Sequence, residues 1–209
     1  MSTILLIRAG RTEYDCQGRI QGTLDVPLSA DGRAEAQAAA EQVADQVATI
    51  SALYAGPCRS AQETAEILGE RLKLRPKTID SLHNLNQGLW QGMLFDEGKA
   101  KQPRVYRQWQ EKPDTVCPPE GETLQEARER LKKALAKLAK KHKTGAIAVV
   151  LGRPLAGVLR AMLTDGKAPE VCPACSAASA PAPLWEPLEV PPEALVRVVR
   201  EFRPHVMTT

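Results

Sequence analysis

The sequence predicts an α/β domain of three layers, with helices on both faces of a mostly parallel central sheet. Short apolar runs alternate along the chain with segments of helical period, in the order strand, helix, strand, helix, helix, strand, helix, which is the pattern of parallel strands joined by crossover helices. One run, Ala146 to Leu151, is continuously apolar, as a strand covered on both faces has to be. With 209 residues and 43% hydrophobic content the chain can bury one substantial core, so a single domain over 1–209 is expected.

Thr3 to Ile7 is the first strand, and Ser29 is placed to cap an Ala-rich helix reaching about Val47. Ala52 to Ala55 reads as a short buried strand. From Cys58 to Leu72 the apolar residues Ala61, Ala65, Leu68 and Leu72 form the stripe of an amphipathic helix, and a third short strand fits Pro76 to Ile79. Residues 81–122 hold Gly, Pro, Trp and Gln without sustained period and read as a lid or insertion over the end of the sheet, with short helices near Met93 to Ala100 and Arg104 to Glu111. Thr123 and Glu126 have capping-box spacing before a long helix marked by Leu124, Ala127, Leu131, Ala134 and Leu138, which ends in Lys140-Lys141-His142-Lys143, cations that the helix dipole favours at that end. Pro154 suits the first turn of a helix to about Leu163. Residues 171–209 form a Pro/Ala-rich extension, a loop over Val171 to Pro191 and a last strand near an edge at Leu195 to Phe202.

Twenty-eight Lys and Arg against 25 Asp and Glu leave a formal +3, too mild and too interspersed for a nucleic-acid footprint. The Ile4 to Ile7 run is too short for a signal peptide and no run approaches membrane-spanning length, so a cytoplasmic protein is expected. Five cysteines, Cys16, Cys58, Cys117, Cys172 and Cys175, are read as free thiols in a reducing compartment.

The chemistry concentrates after the first strand, in Arg8-Ala9-Gly10-Arg11-Thr12 and then Gly18-Arg19-Ile20-Gln21-Gly22-x-x-Asp25-x-Pro27-Leu28-Ser29-x-x-Gly32. These residues resemble the histidine phosphatase superfamily, phosphoglycerate-mutase-like branch, whose signature opens Arg-His-Gly-Glu/Gln-Thr and continues with the same spacing. The resemblance implies that family's fold and a phosphate site at the carboxyl ends of the strands, built from two arginines, two histidines and a proton-donating acid. Arginine forks match phosphate oxygens, imidazole is nucleophilic near neutral pH, and an alkoxide leaving group needs a proton. No cofactor and no metal is implied.

Carried over residue by residue, the resemblance departs from the family at the positions that matter. Arg8 stands at the first phosphate-binding arginine, but Ala9 stands at the nucleophile, and a methyl group cannot attack phosphorus. Arg11 replaces the usual Glu or Gln, and Asp15 the usual Asn. Anchoring Gly56-Pro57-Cys58-Arg59-Ser60-Ala61-Gln62-Glu63-Thr64-Ala65 on its Thr-Ala pair puts Ser60 at the second arginine; Arg59 is one residue early, about 100° away on a helix. In Leu82-His83-Asn84-Leu85-Asn86-Gln87-Gly88-Leu89-Trp90-Gln91-Gly92, Asn84 replaces the acid, and an amide delivers no proton at neutral pH. Glu122 and Thr123 fit the stretch that closes over the site, though helix capping explains them equally well. Gly152 takes the second histidine's place and Arg153 follows it.

The reading is of a degenerate, non-catalytic member, a pseudophosphatase with an anion-accepting pocket of Arg8, Arg11, Arg19, Arg59 and Arg153, its partner an anionic or phosphorylated small molecule; solvated charges and internal ion pairs would account for the same arginines. A second reading makes it a scaffold with a vestigial pocket, meeting another protein or a second copy of itself through Trp90, Tyr106, Trp109 and Trp185, for which core packing is the ordinary alternative. A third keeps it an enzyme with substituted residues: Cys58 at a helix start, His83 as a replacement acid, or the Cys172/Cys175 pair, whose C-x-x-C spacing is redox-like or zinc-like. Neither nucleic acid nor membrane is expected as a partner.

Overall fold

The computed structural model describes residues 2–46, 50–163 and 184–190. Five strands, β1 (Ser2–Arg8), β2 (Ile50–Ala55), β3 (Pro76–Thr78), β4 (Gly145–Leu151) and β5 (Trp185–Val190), form one sheet in the order β3-β2-β4-β1-β5. β1, β2, β3 and β4 pair in parallel, with Leu6 opposite Val149 and Leu53 opposite Ala148, and β5 joins the β1 edge antiparallel. Alternation along the strands feeds two cores. Ile4, Leu6, Tyr54, Ile147, Val149 and Leu151 face the long helix α6 (Leu124–Lys141) and α7 (Arg153–Leu163). Leu5, Ile7, Leu53, Ala148 and Val150 face α2 (Ala30–Gln46) and α3 (Arg59–Leu72), which completes the three layers. No helix among the described residues is long and apolar enough to cross a membrane.

Local signals placed most of these elements. The Ser29 hydroxyl accepts from Gly32 N at 3.1 Å where α2 begins. Thr123 and Glu126 form both halves of their capping box, the Thr123 hydroxyl accepting from Glu126 N at 3.2 Å and Glu126 Oε2 from Thr123 N at 2.8 Å. The insertion carries α4 (Phe95–Lys101) and α5 (Pro103–Glu111), together with single 3₁₀ turns at Asp80–Leu82, Gly88–Trp90 and Pro113–Thr115. A further short helix, α1 (Glu13–Cys16), sits inside the signature and was not expected; Thr12 caps it reciprocally with Asp15.

Two expectations are corrected. Residues 185–190, expected within a loop, form edge strand β5, whose Pro187 lies opposite Leu5; proline lacks a ladder donor and is tolerated at a sheet edge. The expected strand Leu195 to Phe202 lies outside the described residues. The insertion's aromatics are internal: Trp109 is 4% exposed and stands 5.3 Å from Trp90, 6.1 Å from Phe95 and 6.2 Å from Tyr106, ring centre to ring centre. Trp185 is half-buried against the α2/α3 core, its Nε1 donating to Gln42 Oε1 at 3.0 Å. These rings fill the fold, as is usual for the few large side chains of a chain with 4% aromatic residues.

Candidate functional site

The parallel strands stop at one level, where Ala9 N donates to Leu151 O at 2.8 Å and Gly56 N to Val150 O at 3.0 Å. Ligands of open α/β sheets bind beyond such carboxyl ends. A cleft of about 410 Å³, counted out to its open mouth, lies there, lined by Ala9, Gly10, Thr12, Asp15, Arg19, Ile20, Gln21, Gly22, Ser60, Gln87, Phe95, Trp109, Arg153 and Pro154.

The signature glycines build its wall. Gly10 packs against the backbone of Gly32 so closely that a Cβ at 10 would overlap the Gly32 carbonyl oxygen. Its N–H donates to Thr64 Oγ1 at 3.1 Å, and Thr64 Oγ1 donates to Ser60 O at 2.8 Å, fixing the loop after β1 on the first turn of α3. At Gly22 the backbone turns through φ +60°, and Thr23 N donates to Gln91 Oε1 at 2.6 Å, joining the signature loop to the 81–122 segment.

Of the five arginines predicted for the pocket, Arg19 and Arg153 line it. Arg19 is held by two bonds, its Nη1 donating to Gly92 O at 2.6 Å and its Nε to Gln17 Oε1 at 3.0 Å. Arg153 reaches Glu35 Oε2 at 3.2 Å with Nη2, and its Nε stands 3.6 Å from Asp15 Oδ2. Arg8 does not line the cleft; its N–H donates to Leu184 O at 2.7 Å beside the start of β5. Arg11 turns to Glu35, Nε to Oε1 at 2.5 Å, which raises its guanidinium further above its already high value. Arg59 is 57% exposed and donates to Glu63 Oε1 at 3.0 Å, one turn along α3, so its displacement by one residue does turn it out of the cleft. Ser60, anchored by the Thr64-Ala65 register, faces in and is buried.

The remaining substituted positions are interlocked. Asn84, 2% exposed, donates from Nδ2 to Gly22 O at 2.9 Å, and its side chain fills the space above Gly152: a Cβ at 152 would stand 2.6 Å from Asn84 Cγ, 2.8 Å from Nδ2 and 2.9 Å from Oδ1. Neither residue lines the cleft. Arg130 secures this corner, bonding Glu122 at 2.6 and 3.0 Å, Ser81 O at 3.0 Å and Asn84 O at 3.2 Å. Glu122 thus works beyond helix capping, accepting also from Asn86 N at 2.9 Å.

The substituted-enzyme candidates sit elsewhere. His83 does not line the cleft, and its Nδ1 lies 2.9 Å from Asn84 O. Cys58, expected as an activated thiol, is buried at the start of α3 and its pKa is pushed up by that burial, the reverse of activation. Cys172 and Cys175 lie outside the described residues. Sequence reasoning missed Gln87, which lines the cleft at 4% exposed, and Glu35, which reaches Arg11 and Arg153 from α2.

The fold and this cleft define the class. The family model described as the histidine phosphatase superfamily, branch 1, matches residues 4–170, and the chain belongs to that superfamily. It is similar to Phosphoserine phosphatase 1 of Hydrogenobacter thermophilus, 30% identical over 150 residues that cover 72% of this chain and 70% of that protein. It is also similar to Phosphoglycerate mutase-like protein 4 of Arabidopsis thaliana, 32% identical over 161 residues, 76% of this chain and 68% of that one. Among solved structures, Bacillus stearothermophilus YhfR has the same fold, with a TM-score of 0.74 at 23% identity over 87% of this chain and 86% of that one.

Proposed function

We infer that this chain is a non-catalytic member of the superfamily, one that keeps the cleft as a binding site. The observation that carries this reading is Asn84 in the space above Gly152, which leaves no room for an imidazole there, while Ala9 offers only a methyl, 1% exposed, at the tip of β1. The described cleft-lining groups that could attack are the hydroxyls of Thr12 and Ser60 and the carboxylate of Asp15. Asp15 is already engaged, its Oδ2 accepting from Thr12 N at 2.8 Å and Thr12 Oγ1 at 3.0 Å. No imidazole or thiol lines the described cleft to activate a hydroxyl; the base beside Thr12 is the Asp15 carboxylate, far weaker than an imidazole, and a hydroxyl so poorly activated is a weak nucleophile.

Charge supports the same reading. Arg153 is already paired with the carboxylates of Asp15 and Glu35, the latter shared with Arg11, and Arg19 is bonded to Gly92 O and Gln17 Oε1, so neither guanidinium is held in reserve for a phosphate dianion. An anionic ligand, the expectation raised by the arginines, has to displace these internal partners.

The relatives' names favour a second reading, a working phosphatase, which must draw its nucleophile from Thr12, Ser60 or Asp15. Incubation with p-nitrophenyl phosphate, phosphoserine and 3-phosphoglycerate decides between the two. We expect phosphate release at the buffer rate and no phospho-adduct by mass spectrometry; turnover that disappears in Ser60→Ala or Asp15→Asn establishes the second reading instead.

A further inference from the structure

Among the described residues, two polar atoms at the cleft lack hydrogen-bond partners, and they are complementary. Gln87 is 4% exposed and lines the cleft, and its Oε1 is a buried acceptor with no donor. Arg153 Nε is a buried donor with no acceptor, since Asp15 Oδ2 at 3.6 Å is an ion-pair neighbour beyond hydrogen-bond reach. Buried polar groups are seldom left in this state without a reason. From these atoms we propose that the cleft takes a small, net-neutral polyhydroxylated molecule, a polyol or sugar, held between Gln87 Oε1 and Arg153 Nε; the proposal rests on the reading of the chain as a non-catalytic binder.

A hydroxyl is both donor and acceptor, so one class of group satisfies both atoms. The phosphoryl group of a monoester dianion only accepts: it would leave Gln87 Oε1 unanswered and bring its charge against Asp15. Arg153 already has Asp15 and Glu35 as ion-pair partners, which lowers its demand for a ligand carrying negative charge. Ile20, Phe95, Trp109 and Pro154 supply apolar lining for the C–H faces that such molecules carry between their hydroxyls.

Saturation-transfer NMR on the full chain tests this with glycerol, xylitol, myo-inositol and D-glucose as neutral probes, each beside inorganic phosphate and glycerol phosphate. The expected result is transfer to at least one neutral probe, undisturbed by equimolar phosphate. Its Kd should rise by about tenfold or more in Gln87→Met, which keeps the volume but removes the acceptor, and similarly in Arg153→Lys, which keeps the charge but removes Nε. Should Gln87→Met fail to fold, Arg153→Lys decides alone. No transfer to any of the four neutral probes, unchanged affinity in the folded variants, or displacement by phosphate overturns the proposal. Hydrolysis of p-nitrophenyl phosphate by the same protein overturns the non-catalytic reading, while transfer to a polyol and its loss in Gln87→Met still read out this one.

Discussion

Gly152→Ala puts the interlock between two substituted positions to the test. The added methyl would stand 2.6 Å from Asn84 Cγ, where ordinary contact begins near 3.4 Å, and Asn84 is buried and tethered to Gly22 O. Forcing a methyl into a packed site costs about 1–3 kcal/mol, and rotating Asn84 away sacrifices a hydrogen bond of roughly 1 kcal/mol. Replacing glycine restricts the unfolded chain and returns roughly 0.4–1 kcal/mol. The net is a loss of about 2 kcal/mol, or about 4–8 °C in Tm for a domain of this size. Urea denaturation followed by tryptophan fluorescence measures it, and the informative comparison is Asn84→Ala/Gly152→Ala. With the amide removed the methyl fits, so the double variant should be more stable than the sum of the singles by about 1–2 kcal/mol. A Gly152→Ala protein as stable as the parent, or strictly additive singles, would refute the claim that Asn84 occupies the space of a side chain at 152.

Two further perturbations test the surroundings. Arg130→Met should destabilise by about 3 kcal/mol, because it strands the Glu122 carboxylate, 12% exposed, along with the Ser81 and Asn84 carbonyls; denaturant titration checks it, and a loss under about 1 kcal/mol shows that the network is dispensable. His142 Nε2 lies 2.8 Å from Tyr54 OH, and partial burial, then Lys141 and Lys77, lower its pKa in the folded chain. The unfolded chain therefore binds the proton more readily, so this contribution is complete above the ordinary histidine value of about 6.5 and is lost as pH falls below it. Unfolding midpoints at pH 7.5 and 5.5 should differ less in His142→Gln than in the parent, and an identical difference in both removes the histidine from the account.

The parts of the fold set by neighbours in sequence were legible, and the parts set by distant partners were not. Ser29 and the Thr123/Glu126 box announce their helices because capping is a contact across three residues. Ser60 was placed in the cleft by the register of α3 alone. Edge strand β5 was hidden because Pro187 and its Ala- and Pro-rich flanks read as loop, while its assignment depends on pairing with β1 at the opposite end of the chain. Glu35 gave no signal either, for its meaning comes from Arg153, 118 residues away. Gln87 sits at an unspecified position of its motif, and only the folding of the 81–122 segment brings it to the cleft.

Most of the substituted polar side chains are engaged by neighbours within the chain, although Asn84 Oδ1 is buried without a hydrogen-bond partner. Asp15 caps α1 and faces Arg153, Glu35 bridges Arg11 and Arg153, and Asn84 fills the gap above Gly152. A working site holds charge and hydrogen-bonding capacity in reserve for a reacting group, and that reserve costs stability. Here most of the reserve has been absorbed by neighbours, while the contacts that shape the cleft, Gly10 on Gly32 and Thr64 on Gly10, use none of the substituted side chains. The scaffold therefore does not depend on those side chains. Among the described cleft-lining residues, Gln87 Oε1 and Arg153 Nε are the buried side-chain atoms whose hydrogen-bonding capacity remains unspent, and for that reason they are where a ligand is to be sought.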